Sequence, residues 1–484
     1  MDLCKMAVSQ FREMLLARKI SASELLSIHL ERIERSQLNA YITLNDKAME
    51  AAREIDRRIS SGQELPPLAG IPIAVKDNIS TKGLRTTCAS KMLENYIPPF
   101  DAGVVEKLRS AGAVIIGKTN MDEFGMGSSS ENSAFGPVRN PRDPSRSAGG
   151  SSGGSAAAVC AGEAVLALGT DTGGSVRQPS SMCGVVGIKP TYGSTSRSGL
   201  IAFASSLEQV GAIGRTVADA ALLQGVISGP DPMDPTCFIK AKPKYSIQGT
   251  LSELRIGIPK ELFGEGISDL TKDVVMRTLS FMERHGAKLI PLSLPELRYS
   301  VSCYYMIASA EAASNLGRYD GIRFGHASSE HSSLAELFRN SRSEGFDREV
   351  KRRILLGTYV LSAGYAEKYY RRAASMRAKI CSGFETAFSK CHMIASPTAT
   401  GVAFPLGIKR DDPTELYSAD ICTVPANLAG LPAISFPCGS GEGGLPIGIQ
   451  LVGRKFAEDQ LFSAASSFES LSGGYEQLIT SGGD

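Results

Sequence analysis

Residues 147–190 read SAGGSSGGSAAAVCAGEAVLALGTDTGGSVRQPSSMCGVVGIKP. Two glycine–serine loops, 149–155 and 170–175, flank a run of small residues and then an apolar run. This pattern predicts a loop, a helix, a strand and a second loop. Glycine at this density is typical of a backbone whose N–H groups approach a bound group closely. Ser151 and Ser175 are therefore the first candidates for chemistry.

The charge balance argues against a chain that binds nucleic acid through a broad electrostatic field. There are 52 basic and 50 acidic residues among 484, which leaves a formal net charge of +2. A strongly basic surface is what holds a phosphate backbone without help. Any contact with RNA would therefore be local or made by a partner.

The cysteines and histidines give no metal-ligand pattern. Ten cysteines contain no C-x-x-C pair, and the five histidines are scattered. We therefore expect reduced thiols and no metal site. No apolar run approaches the ~18 residues that span a bilayer. The first helix is interrupted by Arg12 and Glu13, unlike a signal peptide, so the expectation is a soluble cytoplasmic protein.

Short apolar strands that alternate with helices predict a layered α/β fold. A capping box at Ser21 and Glu24 begins a helix, and helix-favouring composition continues over residues 40–60. We expect one domain over residues 1–484, a proline-rich linker near 229–247 and a helical, cap-like segment near 302–390. The predicted strands lie near 68–79, 113–117, 164–168, 185–188, 254–258, 288–292, 393–396, 433–437 and 447–452.

Three kinds of chemistry suit glycine–serine loops. Phosphate binding is disfavoured, because neither G-x-x-x-x-G-K-[ST] nor a strand followed by G-x-G-x-x-G is present. A Ser-His-Asp triad is possible in space, but Ser175 lies in T-G-G-S-V and not in a G-x-S-x-G elbow. The third possibility is a serine that a neutral lysine activates.

Lys76, at the end of an apolar strand, is the leading candidate for that lysine. Burial lowers the pKa of an amine, and a fall of ~3 units corresponds to roughly 4 kcal/mol in favour of the neutral form. The competing interpretation is a strand-end lysine that reaches solvent, with Ser151 and Ser175 serving only as turn residues. Composition by itself does not decide between the two.

The resemblance to a family comes from three motifs in order. They are GIPIAVKDN around Lys76, GGSSGGS around Ser151 and TDTGGSVRQP around Ser175. Together they resemble the amidase signature family over nearly the whole chain. The later segments KRRILLGT and PANLAGLP are similar to its glutaminase branch, which works within tRNA-dependent amidotransferases. The resemblance implies a layered α/β/α fold with a mixed central sheet covered by helices.

The resemblance also assigns the catalytic roles. Ser175 would be the nucleophile, Lys76 the neutral base, and Ser151, preceded by a cis peptide bond, the bridge between them. The oxyanion would be held by backbone N–H groups of the second loop, those of Thr172, Gly173, Gly174 and Ser175.

A glutamine clamp is implied as well. Arg353 would bind the α-carboxylate, Asp420 the α-ammonium, and Tyr304 would form a hydrogen-bonding wall. Tyr305 is the alternative to Tyr304, because the two tyrosines are adjacent and the register is ambiguous. Ser128 would also line the pocket.

The implied partners are a transamidase (the B component of such complexes) and a small third protein (the C component), with tRNA bound mainly through the transamidase. This chain would need no cofactor, whereas the transamidase would use ATP and Mg²⁺. Glutamine would be the substrate. Two alternatives stay open, namely a standalone amidase that acts on small amides and a non-catalytic scaffold or nucleotide-binding module.

Overall fold

The computed structural model describes residues 6–239, 241–408 and 417–480, and a mixed sheet of 11 strands runs through them. In space the strands follow the order β1-β3-β2-β4-β6-β5-β10-β11-β9-β7-β8. Their bounds are β1 Tyr41–Leu44, β2 Pro72–Lys76, β3 Val114–Thr119, β4 Leu166–Asp171, β5 Val186–Lys189, β6 Gln209–Gly214, β7 Arg255–Pro259, β8 Lys288–Leu292, β9 Met393–Pro397, β10 Ala433–Ser440 and β11 Pro446–Gly453.

Helices cover the sheet, so the predicted layered α/β/α architecture is confirmed. They are α1 Val8–Leu16, α2 Ala22–Glu34, α3 Ala48–Ser60, α4 Gly103–Ser110, α5 Gly153–Ala161, α6 Arg177–Cys183, α7 Val217–Ile227, α8 Asp269–Arg284, α9 Ser300–Asn315, α10 Leu334–Gly345, α11 Arg348–Leu361, α12 Tyr370–Phe388, α13 Val424–Leu428, α14 Glu458–Leu471 and α15 Tyr475–Thr480. The capping box that starts α2 is present, because Ser21 Oγ accepts the Glu24 N–H and the Glu24 carboxylate accepts the Ser21 N–H.

Parallel pairing positions the glycine–serine loops. Strand β2 lies between β3 and β4 and is parallel to both. The carboxyl ends of parallel strands meet at one edge of a sheet, where open α/β folds bind their ligands. Lys76 ends β2 and Asp171 ends β4, so the lysine and the loop that follows β4 come to the same edge.

The prediction of continuous helix over residues 40–60 is wrong at its beginning. Residues 41–44 form the edge strand β1, which pairs antiparallel with β3, and helix α3 starts only at Ala48. The β-branched and aromatic side chains of YITL favour a strand when a neighbouring strand is available.

Strand β6 was not among the predicted strands. Its sequence QVGAIG contains Gly211, where a Cβ would lie 2.1 Å from the Ile188 carbonyl oxygen of the adjacent strand β5.

The predicted helical segment near 302–390 contains α9–α12. Of these, α9, α11 and α12 share a second apolar core with residues of strands β8–β11. Helices α9 and α11 approach closely at Gly357, because a Cβ there would lie 1.9 Å from the Ser309 carbonyl oxygen. Residues 229–247, apart from residue 240, contain neither helix nor strand, and whether they act as a linker stays a prediction.

The nine cysteines among the residues that the structure describes form no disulfide, and Cys4 lies outside the described range. No helix within these ranges combines the length and apolar character that a membrane crossing requires.

The contact at Gly357 predicts an overpacked α9–α11 interface in Gly357→Ala. Glycine-to-alanine changes inside helices normally stabilise, but here the new methyl group meets backbone that cannot move aside. We expect a loss of about 1–3 kcal/mol in the free energy of unfolding, measured by urea denaturation. Gly317→Ala is the control, because a Cβ there has no neighbour within 4 Å. Equal or greater stability of Gly357→Ala would contradict the packing.

Candidate active site

Lys76 lies at the centre of the site and is fully buried. Its Nζ lies 2.8 Å from Ser151 Oγ, 2.8 Å from Ser152 Oγ and 3.3 Å from the Thr170 carbonyl oxygen. The structure therefore brings Lys76 and Ser151 together, 75 positions apart in the chain. The competing interpretation, a strand-end lysine that reaches solvent, is wrong, because the Lys76 side chain is buried.

Burial lowers the pKa of Lys76 to about 7, against the opposing effect of the Asp122 and Asp171 carboxylates. An amine with a pKa near 7 is substantially neutral at physiological pH and can accept a proton. The site thus has a buried base without a histidine.

Ser151 follows a cis peptide bond from Gly150. A Cβ on Gly150 would lie 2.2 Å from Asp122 Oδ2 and 2.7 Å from the Ser129 nitrogen, so position 150 requires glycine. The Asp122 carboxylate accepts backbone N–H groups from Ser129 and Ser130. The backbone N–H of Asp122 donates to the Ser151 carbonyl oxygen at 3.3 Å. Asp122 therefore ties the Ser151 loop to the loop that carries Ser128.

Ser175 lies on the loop between β4 and α6, next to the Ser151 loop. The Ser152 N–H donates to the Ser175 carbonyl oxygen at 3.0 Å, so the two loops are joined through their backbones. Within the described residues, the Ser175 hydroxyl makes no hydrogen bond, including none to Ser151 Oγ. The bridge between Ser151 and Ser175 stays a prediction from the resemblance.

A buried ion pair shapes the loop that carries Ser175. Arg177 Nη2 and Nε each donate to the Asp171 carboxylate at 3.0 Å, and both side chains are fully buried. Burial alone would raise the pKa of Asp171, but Arg177 outweighs it and lowers the pKa to about 2. The carboxylate also accepts the Gly174 N–H at 2.9 Å and the Val176 N–H at 3.2 Å.

This pairing corrects the predicted set of oxyanion donors. The N–H of Gly174 is directed to Asp171, so we remove Gly174 from the set. The N–H groups of Thr172, Gly173 and Ser175 have no acceptor among the residues the structure describes. A Cβ on Gly173 would lie 2.7 Å from the ring of Tyr304, so glycine is needed for the ring to pack against the loop.

The predicted clamp residues converge beside this loop. Asp420 Oδ1 accepts from Ser128 Oγ at 2.7 Å, and Oδ2 accepts from the Tyr305 hydroxyl at 2.8 Å. Burial raises the pKa of Asp420 to about 6, although these two hydrogen bonds and the charge of Arg353 oppose the rise. Both tyrosines belong to the site, since Tyr305 contacts Asp420 and Tyr304 contacts Gly173.

Arg353 is buried against aromatic rings. Its guanidinium carbon lies 4.4 Å from the ring centroid of Tyr305 and 4.9 Å from that of Tyr417. Its Nε donates to Glu349 Oε1 at 2.7 Å. No acceptor for its two terminal nitrogens is found among the described residues, so both remain available to a carboxylate.

Sequence reasoning missed several residues of the site. Ser152 adjoins Ser151 in GGSSGGS, and Glu349 precedes Arg353 by one helical turn, which is a recognisable ion-pair spacing. Asp171 and Arg177 flank the second loop and could have been identified as its anchor. Tyr417 has no signal in the sequence, because only folding brings it to Tyr305, at 3.9 Å between ring centroids.

Metal chemistry has no candidate ligand set in the described ranges, because no group of three or more His, Cys, Asp or Glu side chains is placed to hold an ion.

Comparison with known proteins places this geometry in a family. Residues 24–462 match the Amidase family. A 474-residue alignment with the A component of the glutamyl-tRNA(Gln) amidotransferase of Caldanaerobacter subterraneus subsp. tengcongensis shows 52% identity and covers 97% of each chain. The corresponding A component from Persephonella marina is 48% identical, with 97% of this chain and 98% of its own covered.

Solved structures agree with the sequence comparison. The crystal structure of the A component of glutamyl-tRNA(Gln) amidotransferase from Thermotoga maritima is 42% identical, with a TM-score of 0.79 and coverage of 97% of this chain and 95% of that one. The native peptide amidase of Stenotrophomonas maltophilia is 32% identical, with a TM-score of 0.81 and 97% of each chain covered. The chain therefore belongs to the Amidase family.

Proposed function

We propose that the chain is the glutaminase subunit of a tRNA-dependent amidotransferase and hydrolyses glutamine to glutamate and ammonia. The observation that carries the proposal is the buried Lys76 amine, 2.8 Å from Ser151 Oγ and beside the Ser175 loop. The names of relatives about half identical in sequence support the same activity.

The proposed proton path combines the Lys76–Ser151 hydrogen bond of the structure with a Ser151–Ser175 contact that only the family resemblance implies. Ser175 Oγ attacks the carboxamide carbon, and its proton passes through the Ser151 hydroxyl to the neutral Lys76 amine. The N–H groups of Thr172, Gly173 and Ser175 hold the oxygen that becomes negative. The proton then returns to the leaving nitrogen as ammonia departs. Water hydrolyses the glutamyl ester, which restores Ser175 and releases glutamate.

The clamp residues suit the two charges of an α-amino acid. The terminal nitrogens of Arg353 would take the α-carboxylate in a forked pair of hydrogen bonds. Asp420, held by Ser128 and Tyr305, would take the α-ammonium. A bound ammonium would favour the ionised form of Asp420, whose pKa burial raises to about 6.

The ammonia would pass to the transamidase, the B component of the complex, which amidates Glu or Asp on tRNA with ATP and Mg²⁺. The small C component would complete the assembly in the cytoplasm. The near-neutral charge of this chain supports a tRNA contact made mainly by the transamidase.

A standalone amidase that acts on small amides is the second candidate, and the similarity to a peptide amidase favours it. Such an enzyme would share Lys76, Ser151 and Ser175 but would gain nothing from a clamp for α-amino acids. The specificity of the clamp therefore distinguishes the two.

Ser175→Ala should reduce ammonia release from glutamine by on the order of 10³-fold or more, because the acyl-enzyme cannot form. Mass spectrometry of the wild-type protein quenched in acid should find glutamate esterified to Ser175. Ser302→Ala, an exposed serine of α9, is the control and should keep wild-type activity. Full activity of Ser175→Ala would exclude this serine as the nucleophile.

The pH profile should report the titration of Lys76. Since the neutral amine is the active form and burial lowers its pKa to about 7, kcat/KM should rise with pH and level off above that value. Asp122→Asn removes a carboxylate that raises the pKa of Lys76, so the rising limb should move to lower pH. A limb that stays in place or moves to higher pH would count against Lys76 as the base.

Arg353→Ala and Asp420→Asn should each raise the KM for glutamine by about 10–100-fold, since each removes charge-assisted hydrogen bonds of about 1.5–3 kcal/mol. The same variants assayed with a simple aliphatic amide should lose far less. Equal losses on both substrates would favour the standalone amidase.

A further inference from the structure

Helix α11 has two faces with different surroundings. The buried face carries Arg353 and packs on α9 at Gly357. The opposite face carries Leu355 and Tyr359, four positions apart and therefore adjacent on the helix. Leu355 is 71% exposed and Tyr359 46% exposed. A leucine this exposed on the helix that holds the clamp arginine is not explained by the packing of this chain.

Two further tyrosines extend the exposed face. The ring centroid of Tyr359 lies 4.5 Å from that of Tyr365 and 5.9 Å from that of Tyr369, and Tyr365 and Tyr369 are stacked 5.9 Å apart. Tyr365 is 38% exposed. We name Leu355, Tyr359, Tyr365 and Tyr369 the tyrosine patch. Contiguous exposed apolar surface with a polar rim is typical of a protein-binding site, where tyrosine is enriched.

The rim of the tyrosine patch is basic. Lys368 lies over the ring of Tyr369, with Nζ 5.4 Å from the centroid. In the segment 347–372, exposed basic side chains outnumber the exposed acidic ones, with Arg348, Lys351, Lys368, Arg371 and Arg372 against Asp347 and Glu367. The complementary surface is therefore apolar at its centre and acidic around it.

Basic and aromatic residues also occur together in RNA-binding proteins. There the ring faces stay open so that bases can stack on them. In the tyrosine patch the rings pack on one another, and a leucine lies beside them. This arrangement favours a polypeptide over an RNA strand.

We propose that the tyrosine patch is the docking surface for the transamidase partner, which engages it with an apolar segment flanked by acidic side chains. This inference rests on the proposed function. Docking there would act on the helix that holds Arg353, whose guanidinium packs on Tyr305 of α9. The bound transamidase would then contact the helix that positions Arg353 in the proposed glutamine clamp.

The test is assembly with the transamidase from the same genome, co-expressed and purified through a tag on the transamidase. Leu355→Asp and Tyr365→Ser should each weaken the complex at least 10-fold, measured as Kd. Met233→Asp is the matched control, because Met233 is an apolar side chain, 76% exposed, that does not belong to the tyrosine patch. This variant should assemble normally. Glutamine hydrolysis by the isolated chain should be unchanged in all three variants.

The double change Lys368→Glu and Arg372→Glu tests the rim. It should slow association and reduce the dependence of the association rate on salt. Wild-type affinity of both Leu355→Asp and Tyr365→Ser would overturn the inference. Normal assembly with loss of tRNA binding would overturn it too, in favour of an RNA surface. If the wild-type chain neither releases ammonia from glutamine nor assembles, the proposed function itself fails.

Discussion

The hydrogen bond between the buried amine of Lys76 and the hydroxyl of Ser151 is the interaction on which the rest of the site depends. A charged amine without compensation is costly in the interior, so burial favours the neutral form that can act as a base. The same amine also faces Ser152 and the Thr170 carbonyl oxygen, which hold it at the end of β2. Packing around one side chain thus determines both its position and its protonation.

The second constraint is the buried pair of Asp171 and Arg177. Arg177 also donates to the Thr423 carbonyl oxygen, to Gln450 and to Asn427, so it joins the Ser175 loop to α13 and β11. A buried ion pair contributes little net stability, because desolvation offsets much of the attraction. Its use here is geometric. It orients the loop and accepts the Gly174 N–H, whereas the N–H groups of Thr172, Gly173 and Ser175 have no acceptor among the described residues.

Helix α11 carries a residue of the proposed substrate clamp on one face and exposed apolar residues on the other. Arg353 on its inner face is held by Glu349 and by the rings of Tyr305 and Tyr417, while Leu355 and Tyr359 face solvent. At Gly357, α11 packs directly against the backbone of α9. A protein bound to the outer face would therefore be connected to the proposed glutamine clamp through this one helix.

The sequence by itself determined the layered fold and most of the strands, because hydrophobic periodicity encodes them. It made Lys76, Ser151 and Ser175 candidates through motifs that resemble those of the amidase signature family. It misassigned residues 41–44 as helix, since that strand exists only through pairing with β3. Tertiary structure decided that Lys76 is buried and that the Gly174 N–H donates to Asp171. It also decided which groups Tyr304 and Tyr305 contact. Each of these depends on contacts between residues far apart in the chain, which local patterns do not record.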